Sequence, residues 1–154
     1  MAAEQPFTGG CQCGAIRYEI TAPPSDAYYC HCRICQRAGG APVNATARFP
    51  ADAFRLLQGA PKFYAALEHG ERGFCADCGS PLYYRPFAVG WQGSVFVRIA
   101  SLDQPTRVTP RWHCGVESRI PWFETDDDLP RTTSEANLEA VALRPPETAD
   151  AKGQ

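Results

Sequence analysis

The sequence predicts a mainly β fold with little helix, stapled by metal, and three observations carry that expectation. Short apolar–polar alternations of period two recur along the 154 residues, the pattern of half-buried strands. Fourteen prolines and thirteen glycines punctuate them, scattered as turn formers rather than arranged in a repeat. Seven of the eight cysteines fall into three tight clusters: Cys11-x-Cys13, Cys30-x-Cys32-x-x-Cys35 and Cys75-x-x-Cys78.

Taken in order, Ala15 to Ile20 alternates directly after the first cluster and reads as a strand, as does Val43 to Phe49. Phe54 to Leu57 and Lys62 to Tyr64 are short strands split by Gln58-Gly59-Ala60-Pro61, a turn by composition. Arg72 to Phe74 leads into the third cluster, and Pro81 to Tyr84 leaves it. Ser94 to Ile99 is the strongest strand of all. Helix signals are few. Arg33 to Ala38 predicts one turn ended by Gly39-Gly40, and Ser134 to Leu143 a helix with Ser134 as N-cap, closed by Arg144-Pro145-Pro146. Strand alternation divides Tyr28, Tyr29, Tyr83 and Tyr84 between core and surface. Trp112 and Trp122 are expected in the core or at its rim. Asp126-Asp127-Asp128 reads as a solvated turn, and residues 145–154 have the composition of a disordered tail.

The cysteine count divides four and three. A structural zinc takes four protein ligands, whereas a zinc that does chemistry keeps three and an open corner. Cys11-x-Cys13 and Cys75-x-x-Cys78 are each half a site and complete one tetrahedron together. Cys30, Cys32 and Cys35 can hold a second ion among themselves, so two zinc ions per chain are expected. Gly14 and Gly79 let the backbone turn sharply beside the metal. Disulfides are the competing use, but cysteines two and three apart make poor cross-links. Met1 to Pro6 lacks both a basic segment and an apolar run, so no export signal is read. Reduced thiols and a cytoplasmic location are the expectation.

The two clusters have different work to do. The four-cysteine site pins segments more than sixty residues apart and replaces core that a small β domain lacks. The triplet pins nothing distant, and that locality points to function, although both metals could simply hold the fold. Length gives one domain. A formal net charge of −2 argues against a nucleic-acid partner, which wants a basic face. Arg33 and Arg37 beside the triplet make at most a small anion site. No apolar run has the length of a membrane span.

Gly10-Cys11-Gln12-Cys13-Gly14, Cys30-His31-Cys32-x-x-Cys35 and Phe74-Cys75-x-x-Cys78-Gly79 resemble the glutathione-dependent formaldehyde-activating enzyme family, whose other branch includes centromere protein V. Ala100-Ser101-Leu102-Asp103, Pro110-Arg111-Trp112-His113 and Ile120-Pro121-Trp122 through Leu129-Pro130 extend the resemblance. It covers residues 6–131 as a single domain, leaving 132–154 as a C-terminal extension. It implies a tent-like arrangement of packed antiparallel sheets. Cys11, Cys13, Cys75 and Cys78 would hold the structural zinc, and Cys30, Cys32 and Cys35 a second, exposed zinc linked to activity. The implied reaction joins glutathione to formaldehyde, giving S-hydroxymethylglutathione, formally a carbon–sulfur lyase run in the synthetic direction.

Three thiolates leave a divalent ion with net −1 charge, which disfavours water activation and suits a thiol in the fourth position. The expected partner is therefore glutathione or another small thiol. A non-catalytic zinc- and thiol-binding carrier, or an interaction module, would use the same ligands. His113 is a candidate substrate contact. Cys114, where the family pattern leads one to expect an aliphatic residue, is either a small buried hydrophobe or an extra ligand or redox partner. His31 should point away from the metal held by its two neighbours, and His69 reads as a turn residue.

Overall fold

The computed structural model describes residues 5–65 and 69–142, so the expected tail at 145–154 lies outside the described residues. Among the described residues the chain is mainly β. A three-stranded sheet has the order β1-β2-β5, formed by Phe7–Gly10, Arg17–Ile20 and Phe54–Gln58. The other strands are β3 (Asp26–Cys30), β4 (Asn44–Pro50), β6 (Lys62–Ala65), β7 (Gly70–Phe74), β8 (Pro81–Pro86), β9 (Ser94–Arg98), β10 (His113–Cys114) and β11 (Arg131–Thr132). They form an eight-stranded sheet in the order β11-β10-β3-β4-β9-β8-β7-β6. Pairing is antiparallel except at one edge, where β10 runs parallel to both β3 and β11.

Four strands lie outside the alternating segments, each for a physical reason. In β1 two glycines hide the pattern. Gly9 is required there, because a Cβ would stand 2.4 Å from the Tyr18 hydroxyl and 2.5 Å from the Ser101 carbonyl. In β3 adjacent tyrosines point to opposite faces and Asp26 at its start is the one charged residue, so apolar and polar residues do not alternate. β10 and β11 are two residues long, too short to show a period.

The core lies between the sheets. From the small sheet come Tyr18 and Ile20, both fully buried, and from the large one Ala47, Phe49, Val95 and Val97. Ala47 pairs with Val97 and Phe49 with Val95, so one face of β4 and β9 is apolar throughout. Phe7 packs edge-on against Phe49 at 5.4 Å, and Phe54 bridges Tyr18 (5.2 Å) and Tyr83 (4.6 Å). Full burial of each such side chain is worth roughly 1.5–3 kcal/mol.

The opposite face of the large sheet carries a second row. Tyr28 pairs with Thr46 and Thr46 with Arg98; Phe96, two residues earlier on β9, pairs with Tyr84, and Tyr84 with Arg72. Because side chains alternate faces, this row lies away from the core. Over it sit two helices, α1 (Arg33–Gly39) and α2 (Ser134–Ala142). Cys32 is the N-cap of α1, and Gly40, at φ 61°, ends it in the left-handed region. α2 packs against the turn at Val89–Trp91 through Val141, and a Cβ on Gly90 would meet the Val141 carbonyl at 2.4 Å. No helix among the described residues is long and apolar enough to cross a membrane.

Candidate metal centres

The β1–β2 and β7–β8 turns each carry a cysteine pair, and the packing of the two sheets brings those turns together. The sulfurs of Cys11, Cys13, Cys75 and Cys78 all lie within 4.8 Å of one another. Cys11 and Cys13 are 3.5 Å apart, and Cys13 and Cys75 3.7 Å. A tetrahedron with metal–sulfur arms of ~2.3 Å has edges of about 3.8 Å, so this group is already shaped for such an ion. Both turns are built alike. The Gly14 amide donates to the Cys11 carbonyl (3.1 Å) and the Gly79 amide to the Cys75 carbonyl (2.9 Å). These glycines take φ of 80° and 74°. The Ile16 amide donates to Cys11 Sγ at 3.2 Å. Ser80 serves both halves: its hydroxyl accepts from the Gln12 amide and lies 3.1 Å from Cys78 Sγ. The Ser80 hydroxyl and amide hold the Cys78 thiol down to about 5, since a bond donated to sulfur favours the thiolate.

The second group forms where β3 runs into α1. Cys30 ends the strand, Cys32 caps the helix and Cys35 lies in its first turn, with all three sulfurs within 4.8 Å of one another. Cys30 and Cys32 sulfurs are 3.5 Å apart, and the Cys35 amide donates to Cys32 Sγ at 3.3 Å. Negative charge concentrates on Cys35. Donation from Cys30 and then Cys32 lowers its pKa, and Arg98 and Arg72 add to the effect. The other two thiols are pushed up, Cys30 chiefly by Cys114 and Cys32 chiefly by Cys30.

A buried polar chain holds this loop from behind. His31 is 1% exposed and His113 fully buried. His31 Nε2 lies 2.8 Å from His113 Nδ1, and His113 Nε2 lies 3.1 Å from both carboxylate oxygens of Asp127. A carboxylate only accepts, so with both rings neutral His113 donates from Nε2 and accepts at Nδ1 from His31 Nε2–H. His31 Nδ1 is then a bare acceptor, and it is buried without a partner. Burial, and then the neighbouring His113, lowers the His31 pKa. Burial alone would raise that of Asp127, but the Leu129 amide, His113 and Arg131 outweigh it and hold it below the usual value. Gln36 closes the loop from the helix side, donating from Nε2 to the carbonyls of His31 (2.7 Å) and Ser118 (3.0 Å). Gly115, at φ 70°, presses on the same loop: a Cβ there would stand 2.8 Å from the Cys32 amide nitrogen.

Above the triplet lies a cavity of about 210 Å³. The triplet lines it together with Tyr28, Phe96 and Trp91 on one side and Leu138 of α2 on another. Cys114 lines it too, set beside Cys30 by the parallel β3–β10 register.

The structure therefore brings together both cysteine groups expected from their spacing. His113 does not line the cavity. The expected substrate contact is corrected to a buried partner of His31, because residue alternation on β10 turns Cys114 rather than His113 toward the triplet. Trp112 stacks on Tyr28 at 4.7 Å and donates to Asp26, whereas Trp122 is 76% exposed, outside core and rim alike. Arg33 is engaged by Gln36 (2.5 Å), and neither it nor Arg37 reaches the cavity. Sequence reasoning missed Asp127, which is partly exposed but accepts from His113, the Leu129 amide and Arg131. It also missed Arg72 and Arg98, whose signal was present: strand alternation places Arg98 on the face of Phe96.

The family model described as glutathione-dependent formaldehyde-activating enzyme matches residues 6–118. A crystal structure of a Rhodobacter sphaeroides protein superposes with a TM-score of 0.54 at 23% identity, covering 81% of this chain and 99% of that one, and shares the fold. β11 and α2 lie beyond the residues matched by the family model.

Proposed function

Because the chain belongs to the glutathione-dependent formaldehyde-activating enzyme family, we propose that it is a carbon–sulfur lyase that joins glutathione, or a related small thiol, to formaldehyde or a similar aldehyde. The sulfur lone pair attacks the carbonyl carbon. A carbon–sulfur bond forms, the carbon–oxygen π bond opens onto oxygen, and the thiol proton ends on the new hydroxyl. No other reactant is needed.

The metal that fits both cysteine groups is zinc. All seven donors are sulfur, which selects soft or borderline ions, and the sulfur separations of 3.5 and 3.7 Å match the edges of a zinc tetrahedron. Cys11, Cys13, Cys75 and Cys78 would hold one ion as a closed, structural site. Cys30, Cys32 and Cys35 would hold the other and leave one position to a ligand from outside. Zinc, when bound at the triplet, supplies a cationic centre at which an entering thiol is kept as thiolate near neutral pH.

The chain's own residues do the rest. Tyr28, Trp91 and Phe96 wall the cavity and exclude water from the attacking sulfur. The Asp127–His113–His31 chain and Gln36 fix the ligand loop, so that the triplet is organised before substrate enters. The observation that carries the reading is the count of grouped ligands: three sulfurs, those of Cys30, Cys32 and Cys35, lie within ligand reach of one another and face a cavity, and Cys114 lines the cavity without belonging to the group.

The test compares glutathione with S-methylglutathione, which keeps the peptide but cannot offer a thiolate. On zinc-loaded protein glutathione should bind much more tightly, and on cobalt-substituted protein only glutathione should change the sulfur-to-metal charge-transfer band. Exchange spectroscopy should then show carbon–sulfur bond formation with formaldehyde faster than in buffer. Equal binding of the two peptides would overturn the thiol-binding reading. Selective binding without acceleration would leave a thiol carrier instead of a lyase.

A further inference from the structure

Two guanidinium groups share the cavity with the triplet and pair with no carboxylate among the described residues. Arg17, Arg55, Arg85, Arg119 and Arg131 each pair with a carboxylate. Arg72 and Arg98 pair with none among the described residues. Arg98 Nη1 donates to the buried Thr46 hydroxyl at 3.2 Å, which occupies one of its five donors. Arg72 lies over the Tyr84 ring, 5.1 Å from its centroid, and its Nε is buried without an acceptor. A buried guanidinium N–H left unmatched is costly unless a ligand supplies the acceptor.

Their placement follows from the sheet. Register runs Arg72 to Tyr84 to Phe96 across β7, β8 and β9, and Arg98 stands two residues beyond Phe96 on the same face. The two arginines thus flank a tyrosine and a phenylalanine on one floor. Both also line a second cavity of about 180 Å³, on the side toward Tyr64 and Tyr83. They stand where the two spaces adjoin, with the triplet in the first.

We propose that Arg72 and Arg98 are the carboxylate-recognition site of the thiol substrate, so that the preferred ligands are compact thiol acids. This rests on the thiol-binding reading of the triplet and adds the substrate class to it. A guanidinium offers paired parallel donors that match a carboxylate, and two of them around one group tolerate little else. The cavity over the triplet, about 210 Å³, is smaller than the roughly 300–1,000 Å³ of pockets for drug-sized ligands. Its room suits a short linker between sulfur and carboxylate, with Tyr28 and Phe96 against the carbon chain.

The experiment uses the zinc-loaded full chain and four small probes in titration calorimetry: 3-mercaptopropionate, 3-mercaptopropionamide, 3-(methylthio)propionate and propionate. The thiol acid should bind about tenfold more tightly than its amide, the scale of one charge-assisted contact. The two probes without a free thiol should bind far more weakly. Arg72→Gln and Arg98→Gln should each bring acid and amide to within roughly twofold while leaving the amide's affinity unchanged. Zinc content and circular dichroism should match the parent protein. Equal affinity of acid and amide on the unaltered chain would overturn the proposal without needing a variant, as would a preference that survives both substitutions. If propionate and the methylthio acid bind as tightly as the thiol acid, the arginine site stands and the thiol-binding reading falls.

Discussion

His31 and His113 meet ring to ring, Nε2 to Nδ1 at 2.8 Å, although 82 residues separate them. His31 lies between two cysteines of the triplet, so its backbone is part of the ligand loop while its side chain is locked into the buried chain that ends at Asp127. Strand alternation supplies the logic: with Cys30 turned toward the cavity, the next side chain must turn the other way. The histidine pair thus anchors a loop whose flanking cysteines, Cys30 and Cys32, face the cavity.

Replacing His113 with Ala should remove that anchor. The loss leaves His31 without its partner in a buried space, at a cost of roughly 1–3 kcal/mol, while Asp127, partly exposed, turns to water. The urea midpoint should fall accordingly, and a chelator should strip the triplet faster while the four-cysteine site keeps its rate. An unchanged triplet rate would mean that the loop is held without the histidines.

Loss of a single ligand should separate the two cysteine groups. Cys11→Ser should lower solubility and thermal stability strongly, because its site joins the two sheets and a metal bound there would contribute folding free energy. Cys32→Ser should lose one zinc by elemental analysis and shift the melting temperature only slightly. If both variants unfold alike, the triplet is structural.

Gly115 offers a geometric test. Gly115→Ala forces a side chain into the left-handed region and against the Cys32 amide at 2.8 Å, whereas Gly93→Ala, at φ 77°, meets open space. The conformational cost of about 1–2 kcal/mol is common to both. Only Gly115→Ala should also loosen zinc at the triplet, read as faster chelator release. Equal behaviour of the two variants would show that the loop yields.

Asp103 sets a pH dependence. Arg17, then the Thr8 hydroxyl, hold its carboxyl below its ordinary value of 3.8. A depressed carboxylate contributes stability that is fully present above its unfolded pKa and lost as pH falls through the folded one. The pair is partly exposed, with 35% and 41% of the two side chains accessible, so the contribution is about 1 kcal/mol or less. Melting temperatures of the parent chain and Asp103→Asn should differ at pH 6 and converge below pH 3.8. A gap that persists in acid would assign the effect to packing.

Both cysteine groups were legible because ligand count and spacing are written locally, and so were the strands whose alternation contrasts core with water. The pocket was not. Its floor is assembled from Arg72, Tyr84, Phe96 and Arg98 on three strands, and only register reveals that they are neighbours. Asp127 escaped for a similar reason. Three successive aspartates read as solvent-facing until the fold brings His113 to the middle one.

The four-cysteine site also imposes an order on synthesis. The triplet is complete once residue 35 has been made, but Cys11 and Cys13 have no partners until Cys75 and Cys78 arrive. At about 5–20 residues per second, the first pair waits roughly 2–8 s after the triplet is finished, with five thiols already present on the growing chain. During that interval the correct pairing is not yet on offer, and any ion taken up by Cys11 and Cys13 must borrow a ligand from the triplet or from a cellular thiol. Metal supply early in translation would therefore favour mis-ligated chains, and supply after residue 78 the native pairing.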